Sequence, residues 1–157
     1  MNNRWRLPLG LVGWTWLAMS AGLAGSRFQP GEWYAGLVKP DWTPPNLVFP
    51  VVWTLLYIAM GVAAFRVWYR HGFAGARIAL GLWLTQLALN AAWSWIFFGL
   101  QAPGAAFFEI ILLWGAILAT FQAFRQRDRL AARLMLPYLA WVGFAFALNF
   151  AIWRLNP

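Results

Sequence analysis

The sequence predicts an all-α integral membrane protein, a five-transmembrane-helix bundle with a long capping loop between helices 1 and 2. Three observations predict it. Of 157 residues, 62% are hydrophobic and 10% charged, which is greasier than a water-soluble domain tolerates. The charged residues, 12 basic and 4 acidic, fall in clusters separated by long uncharged runs. Five of those runs reach the ~20 residues that a helix rising ~1.5 Å per residue needs to cross a ~30 Å hydrocarbon core.

The chain is read as a single transmembrane domain, residues 1–157, with spans at about 7–26, 46–67, 78–100, 104–124 and 134–153. The first is uncharged between Arg6 and Arg27. It resembles a signal peptide but runs on to Ser26 without a clear small-x-small cleavage box at the right distance, so it is expected to be retained. The second starts after Pro44 and Pro45, because proline is tolerated in the first turn of a helix and disrupts its interior. The third follows Arg77 and is closed by the turn Gln101, Ala102, Pro103 and Gly104. The fourth, ending before Arg125, contains Glu109, and the fifth lies between Arg133 and Arg154.

An odd number of spans puts the termini on opposite sides, and basic residues decide which side is which. Arg4, Arg6, Arg66, Arg70, Arg77, Arg125, Arg127, Arg129 and Arg133 share one side, against Arg27, Lys39 and Arg154 on the other. The N-terminus is therefore expected on the cytoplasm-equivalent side, with the bacterial cell membrane as the expected location. The 18-residue connection Phe28 to Pro45 then faces outward. It is rich in Trp and Pro, which predicts an ordered cap rather than disorder. Lys39 within it is expected to pair with Glu32 or Asp41, or to meet a ligand carboxylate. Trp5, Trp68 and Trp153 read as interfacial anchors at span ends. Small residues spaced by four, Ala18 with Gly22, Gly75 with Ala79, Gly115 with Ala119 and Gly143 with Ala147, suit close helix packing within a bundle or a homodimer alike.

Composition also excludes. A net charge of +8 suggests nucleic acid, but no embedded segment carries the continuous basic face that binding a phosphate backbone requires, so no nucleic-acid partner is expected. Cysteine is absent, which removes disulfides, thiolate nucleophiles and Cys-ligated metals. The single histidine, His71, falls in the short loop between spans two and three, so no embedded imidazole serves as haem ligand or general base. No catalytic residue, no metal and no resident cofactor is assigned. Glu109 is the one embedded carboxylate and is expected near the interface or bonded to a neighbouring helix.

Embedded polar groups cost free energy unless they meet a partner or line a cavity, so they mark where to look for a site. At 100° per residue, Trp83, Gln86, Asn90, Trp93, Ser94 and Phe97 of span three share an arc about 100° wide. Trp141, Ala145, Leu148 and Asn149 fill an equivalent arc on span five, with Tyr138 one turn earlier. Phe49, Trp53 and Tyr57 recur every four residues on span two. Two readings remain open: interhelix bonding with aromatic core filling, or a pocket for a large, flat, mostly apolar ligand with a few polar edges.

The stretch Trp33, Tyr34, Leu37, Lys39, Pro40, Trp42, Pro44, Pro45, Phe49, Trp53 and Tyr57 resembles the WYxxLxKPxWxPPxxxFxxxWxxLY signature of the tryptophan-rich sensory protein and translocator protein family, also called peripheral-type benzodiazepine receptors. Leu89, Asn90, Trp93, Phe97 and Phe98, and Pro137, Tyr138, Trp141, Leu148 and Asn149, extend the resemblance over nearly the whole chain. It implies a five-helix bundle, usually dimeric, that binds porphyrins such as protoporphyrin IX and haem, and in some members cholesterol and isoquinoline or benzodiazepine drugs. Carried onto matching positions, it implies a pocket of Trp33, Tyr34, Trp42, Phe49, Trp53, Tyr57, Asn90, Trp93, Trp141, Phe144, Ala145 and Asn149. The sterol-recognition pattern near Leu148, Asn149, Phe150 and Arg154 carries Phe where Tyr is expected. The function implied is a tetrapyrrole receptor or carrier with a transport or stress-sensing role. The alternative is an enzyme of light-dependent porphyrin breakdown, with Trp33 and Trp141 as oxidisable indoles.

Overall fold

In the computed structural model, which describes residues 6–157, a run of 52 residues, Val48–Gly99, is apolar and helical almost throughout. A straight helix of that length would measure about 78 Å, more than twice the thickness of a bilayer core. It is not straight. Gly72 adopts φ 65° and ψ −179°, a conformation essentially reserved for glycine, and breaks the helix there. Tyr57 bonds to Asn90 and Met60 meets Gln86, pairs centred on this glycine, so the two limbs run back along each other as a hairpin. The loop expected between spans two and three is thus reduced to one residue. Around it the helix persists through the positively charged stretch, because a bend needs only one residue with φ > 0.

The elements in order are α1 (Arg6–Gly25), a short α2 (Glu32–Gly36), α3 (Val48–Ser94, its limbs 48–71 and 73–94), a π-helical turn Trp95–Gly99, α4 (Pro103–Arg125) and α5 (Arg129–Leu155). With the two limbs of α3 counted separately, five apolar helices cross the bundle, and among the described residues there is no strand. Trp5 and Arg4 lie outside the described residues. Helix α1 packs on α3, α4 packs on α3 and α5, and α5 also meets α3. The fit of α1 depends on absent side chains: a Cβ on Gly61 would lie 2.5 Å from the Thr15 Cα, and one on Gly22 would lie 2.5 Å from the Tyr57 ring. Ala18 and Gly22 are therefore spent inside the monomer. Gly115 is exposed with no heavy atom within 4 Å of such a Cβ.

Both ends of the bundle are fastened. At one, Asp128 caps α5 by accepting from the amides of Leu130 (2.8 Å) and Ala131 (3.1 Å), and pairs with Arg66 (3.0 Å) and Arg70 (3.2 Å) of α3. Beside it, Arg127 donates to the Gly75 carbonyl (3.2 Å), and a His71 ring nitrogen lies 3.2 Å from the Arg127 carbonyl oxygen. At the other, the Asn156 side chain clamps the Val38 backbone: its Oδ1 accepts from the amide and its Nδ2 donates to the carbonyl, both at 2.9 Å. Residues 36 and 128 therefore belong to opposite ends. Trp68 is not a lone anchor; it packs against Trp14, Phe65 and Phe73.

Gly72→Ala is expected to destabilise the protein by about 1–3 kcal/mol, the cost of holding a side chain in that conformation. Gly81→Ala, at an exposed helical position with open space around it, should be neutral or slightly stabilising. Thermal melts of the two variants in one detergent give the comparison, and equal melting temperatures would contradict it.

Candidate functional site

A second core cluster forms at the Asn156 end, where Tyr34, Phe97, Ala106, Leu148 and Ile152 are buried and Trp33, Leu37, Phe49, Trp93, Phe98 and Phe144 pack against them. The loop builds its share of this cluster with local chemistry. Gly31 precedes α2, and Lys39 closes the loop by donating to the Leu37 carbonyl (3.0 Å) while its ammonium lies 4.6 Å from the Tyr34 ring centroid. Neither Glu32 nor Asp41, the partners expected for Lys39, engages it; the carbonyls at the end of α2 are nearer and already point outward from the helix.

The rings form three connected groups. Trp33 and Tyr34 lie edge-on to Phe97 (5.9 and 6.2 Å between centroids), and Phe97 stacks on Trp93 at 4.9 Å and 25°. Trp42 meets Phe144 (5.7 Å), Phe144 meets Trp141 (5.4 Å), and Trp141 meets Phe49 (5.9 Å). Deeper in the bundle Trp53 stacks on Tyr57 at 5.5 Å and 27° and lies edge-on to Tyr138. Ala145 packs against the main core. Burial alone raises the Tyr34 phenol above its ordinary range, so this ring is neutral at physiological pH.

The polar members are largely committed to one another. The Tyr57 hydroxyl donates to Asn90 Oδ1 (2.5 Å) and the Tyr138 hydroxyl to Gln86 Oε1 (2.7 Å). Asn149 accepts from Trp93 Nε1 (3.0 Å) and donates to the Pro103 carbonyl (2.8 Å). These bonds give the amides an interhelix role and orient the Trp93 indole. Ser94, grouped with this stripe by spacing, instead faces Gly25 of α1. The sterol-type pattern is divided, since Leu148 is buried whereas Phe150 is exposed and packs on Phe107.

Of the aromatic side chains in the implied pocket, Trp33, Tyr34, Phe49, Trp93 and Phe144 share one core cluster, while Trp53, Tyr57 and Trp141 belong to or pack on the main core. Trp42 and Trp141 join the first set through Phe144; Trp83, in the same stripe by spacing, packs instead on Trp14. An open groove of about 520 Å³ lined by Ser20, Leu23, Ala24, Arg27 and Phe28 shares none of their residues. Sequence reasoning missed Asn156 and Asp128. Nothing local marks Asn156 as a clamp, whereas Asp128 ahead of an apolar helix carries an N-cap signature. It also missed the π-helical turn, which carries Phe97 and Phe98. Among the described residues no group of three His, Cys, Asp or Glu side chains is placed to hold a metal ion.

The family model described as TspO/MBR family matches residues 12–154. The chain belongs to the TspO/MBR family. It is 49% identical over 146 residues to a protein named Translocator protein from Homo sapiens, covering 89% of this chain and 86% of that protein. It is 44% identical over 148 residues to Tryptophan-rich protein TspO from Chlorobaculum tepidum, covering 90% of this chain and 92% of that one. It is 40% identical over 158 residues to the Tryptophan-rich sensory protein of Cereibacter sphaeroides, covering 99% of this chain and 95% of that protein. TspO/MBR membership and the four long apolar helices, one folded at Gly72, make this a multi-pass membrane protein.

Proposed function

We propose that the protein is a membrane receptor or carrier for tetrapyrroles, protoporphyrin IX and haem, with the clustered rings as its binding site and a transport or stress-sensing role. The observation that carries this reading is the convergence of flat rings from the loop, α3 and α5 on one region. Such a wall suits a large apolar plate. Sterols and drug-like isoquinolines or benzodiazepines are proposed as further ligands, and a homodimer as the working unit. Titration of the purified protein with protoporphyrin IX should quench its tryptophan fluorescence saturably, and unsaturable quenching would sink the reading. Illumination of the same complex tests the enzymatic alternative: a new chromophore forming faster than from free porphyrin would make the site a photochemical one.

The rings are closed on each other. Trp42–Phe144 and Phe49–Trp141 meet edge-on, at 71° and 66° with centroids 5.7 and 5.9 Å apart, so these rings fill each other's space and leave no slot between parallel faces for a plate. We propose that the loop is a lid that lifts Trp42, itself 50% exposed, to admit ligand. Pro44→Gly together with Pro45→Gly should raise the porphyrin dissociation rate several-fold by increasing the ordering cost of the bound state. Stopped-flow release measures it, and an unchanged rate in a still-folded variant would point to passage between helices from the lipid.

We further propose that the N-terminus and the Arg127 end face the cytoplasm of a bacterial cell. Single cysteines at positions 36 and 128 should label from opposite sides of the membrane in right-side-out vesicles, position 36 from outside. Labelling of both from one side would overturn the assignment.

A further inference from the structure

The end of the bundle fastened by Asp128 carries seven arginines between residues 66 and 133, against that single carboxylate. Three of them are committed within the chain. Arg66 and Arg70 hold Asp128, and Arg127 donates to the carbonyls of Gly75 and Ala123. Arg125 at the end of α4, and Arg129 and Arg133 at the start of α5, are exposed, and among the described residues they form no ion pair and no side-chain hydrogen bond.

These three share one outward face of the α4–α5 pair. At 100° per residue, Arg129, Arg133, Leu136 and Ala140 fall within an arc of about 60°, and all four are exposed. Gly143 borders that arc. The Trp114 indole of α4 lies against it: a Cβ on Gly143 would be 3.5 Å from Trp114 Nε1, which donates to the Leu139 carbonyl (3.2 Å). Arg125 follows Trp114 by 11 residues and so lies within about 20° of it around α4. The face is therefore a row of cations at the membrane boundary above an apolar seam that runs about 15 Å from Arg133 to Gly143, the depth of one leaflet.

A second feature falls on the same turn. Pro137, exposed inside α5, has no N–H, so the Arg133 carbonyl loses its helical donor, and among the described residues no side chain reaches it. Backbone acceptors at a lipid-facing position must find a partner there. The turn thus offers two guanidinium forks, which match phosphate oxygens, beside one free acceptor, which matches a hydroxyl.

We propose that this face binds one anionic phospholipid with a hydroxylated headgroup, of the phosphatidylglycerol type. Its phosphate accepts from Arg129 and Arg133 with Arg125 alongside, a headgroup hydroxyl donates to the Arg133 carbonyl, and an acyl chain lies along Leu136 and Ala140 toward Trp114. Charge complementarity selects this occupant, because a zwitterionic choline headgroup would bring a cation against three arginines. The site shares no residue with the ring cluster and stands apart from the tetrapyrrole reading.

Native mass spectrometry of the full chain in detergent tests it with three probes: phosphatidylglycerol, phosphatidylmethanol of the same single charge but without a hydroxyl, and phosphatidylcholine. Wild type should retain phosphatidylglycerol about tenfold better than phosphatidylcholine and several-fold better than phosphatidylmethanol. Arg129→Gln together with Arg133→Gln should bring phosphatidylglycerol down to the phosphatidylcholine level at an unchanged melting temperature, whereas Arg27→Gln, at the opposite end, should leave its retention within about twofold. Equal retention of phosphatidylglycerol and either other lipid, or a preference that survives the double substitution, would overturn the site. So would release of the lipid by inorganic phosphate, which would make the occupant a soluble anion. A shift of the double variant from dimer to monomer with lipid retention intact would assign the face to a second copy of the chain and overturn it equally.

Discussion

Asp128→Ala is expected to lower stability by about 2–4 kcal/mol, among the largest effects of any single substitution in the chain. The estimate combines loss of the α5 N-cap, about 1 kcal/mol, with the cost of leaving the half-buried Arg66 guanidinium without its carboxylate. Arg70, 54% exposed, adds little. Asp128→Asn separates the two contributions, because asparagine still caps a helix but carries no charge. Burial by itself raises the Asp128 carboxyl; the amides of Ala131 and Leu130 and the charges of Arg66 and Arg70 outweigh it and hold the group below its ordinary range. A group depressed on folding contributes stability that is present above its unfolded value and lost as pH falls through the folded one. Wild-type melting temperature should therefore drop below about pH 4 by more than that of Asp128→Asn. Parallel pH profiles of the two proteins would contradict the assignment.

Trp141→Ala should weaken protoporphyrin IX binding by about tenfold, whereas Trp16→Ala, 62% exposed on the lipid-facing side of α1, should leave it within twofold. Trp141 touches both Phe49 and Phe144, so truncating it removes a stacking surface and loosens two neighbours as well. Fluorescence quenching titrations of the two variants provide the measurement. Equal affinities would return the ring cluster to the role of core filling.

Much of this architecture was legible before any coordinates. Each uncharged run between arginines lies largely within one helical stretch of the structure, as expected where placing a charge in hydrocarbon is costly. The 100° spacing on span three placed Trp83, Gln86, Asn90 and Phe97 on one face, and all four are buried. The turn between spans two and three was misjudged in length, since charge marks where the membrane ends and not where the helix ends. The 68–77 stretch stays helical except at Gly72, whose role is visible only as a backbone angle.

The sequence by itself determined that the protein is a membrane bundle, how many apolar helices cross it, and which residue types gather at the aromatic end, since all three depend on composition and helical period. The tertiary structure alone decided which polar groups are satisfied. Asn149 reaches the Pro103 carbonyl 46 residues away, and Asn156 closes on Val38 across 118 residues. Glu109, by contrast, ends buried with no partner. Hydrogen bonds have a reach of about 3 Å and need good alignment, so whether a side chain finds its partner depends on helix register and rotation, quantities that no local pattern encodes.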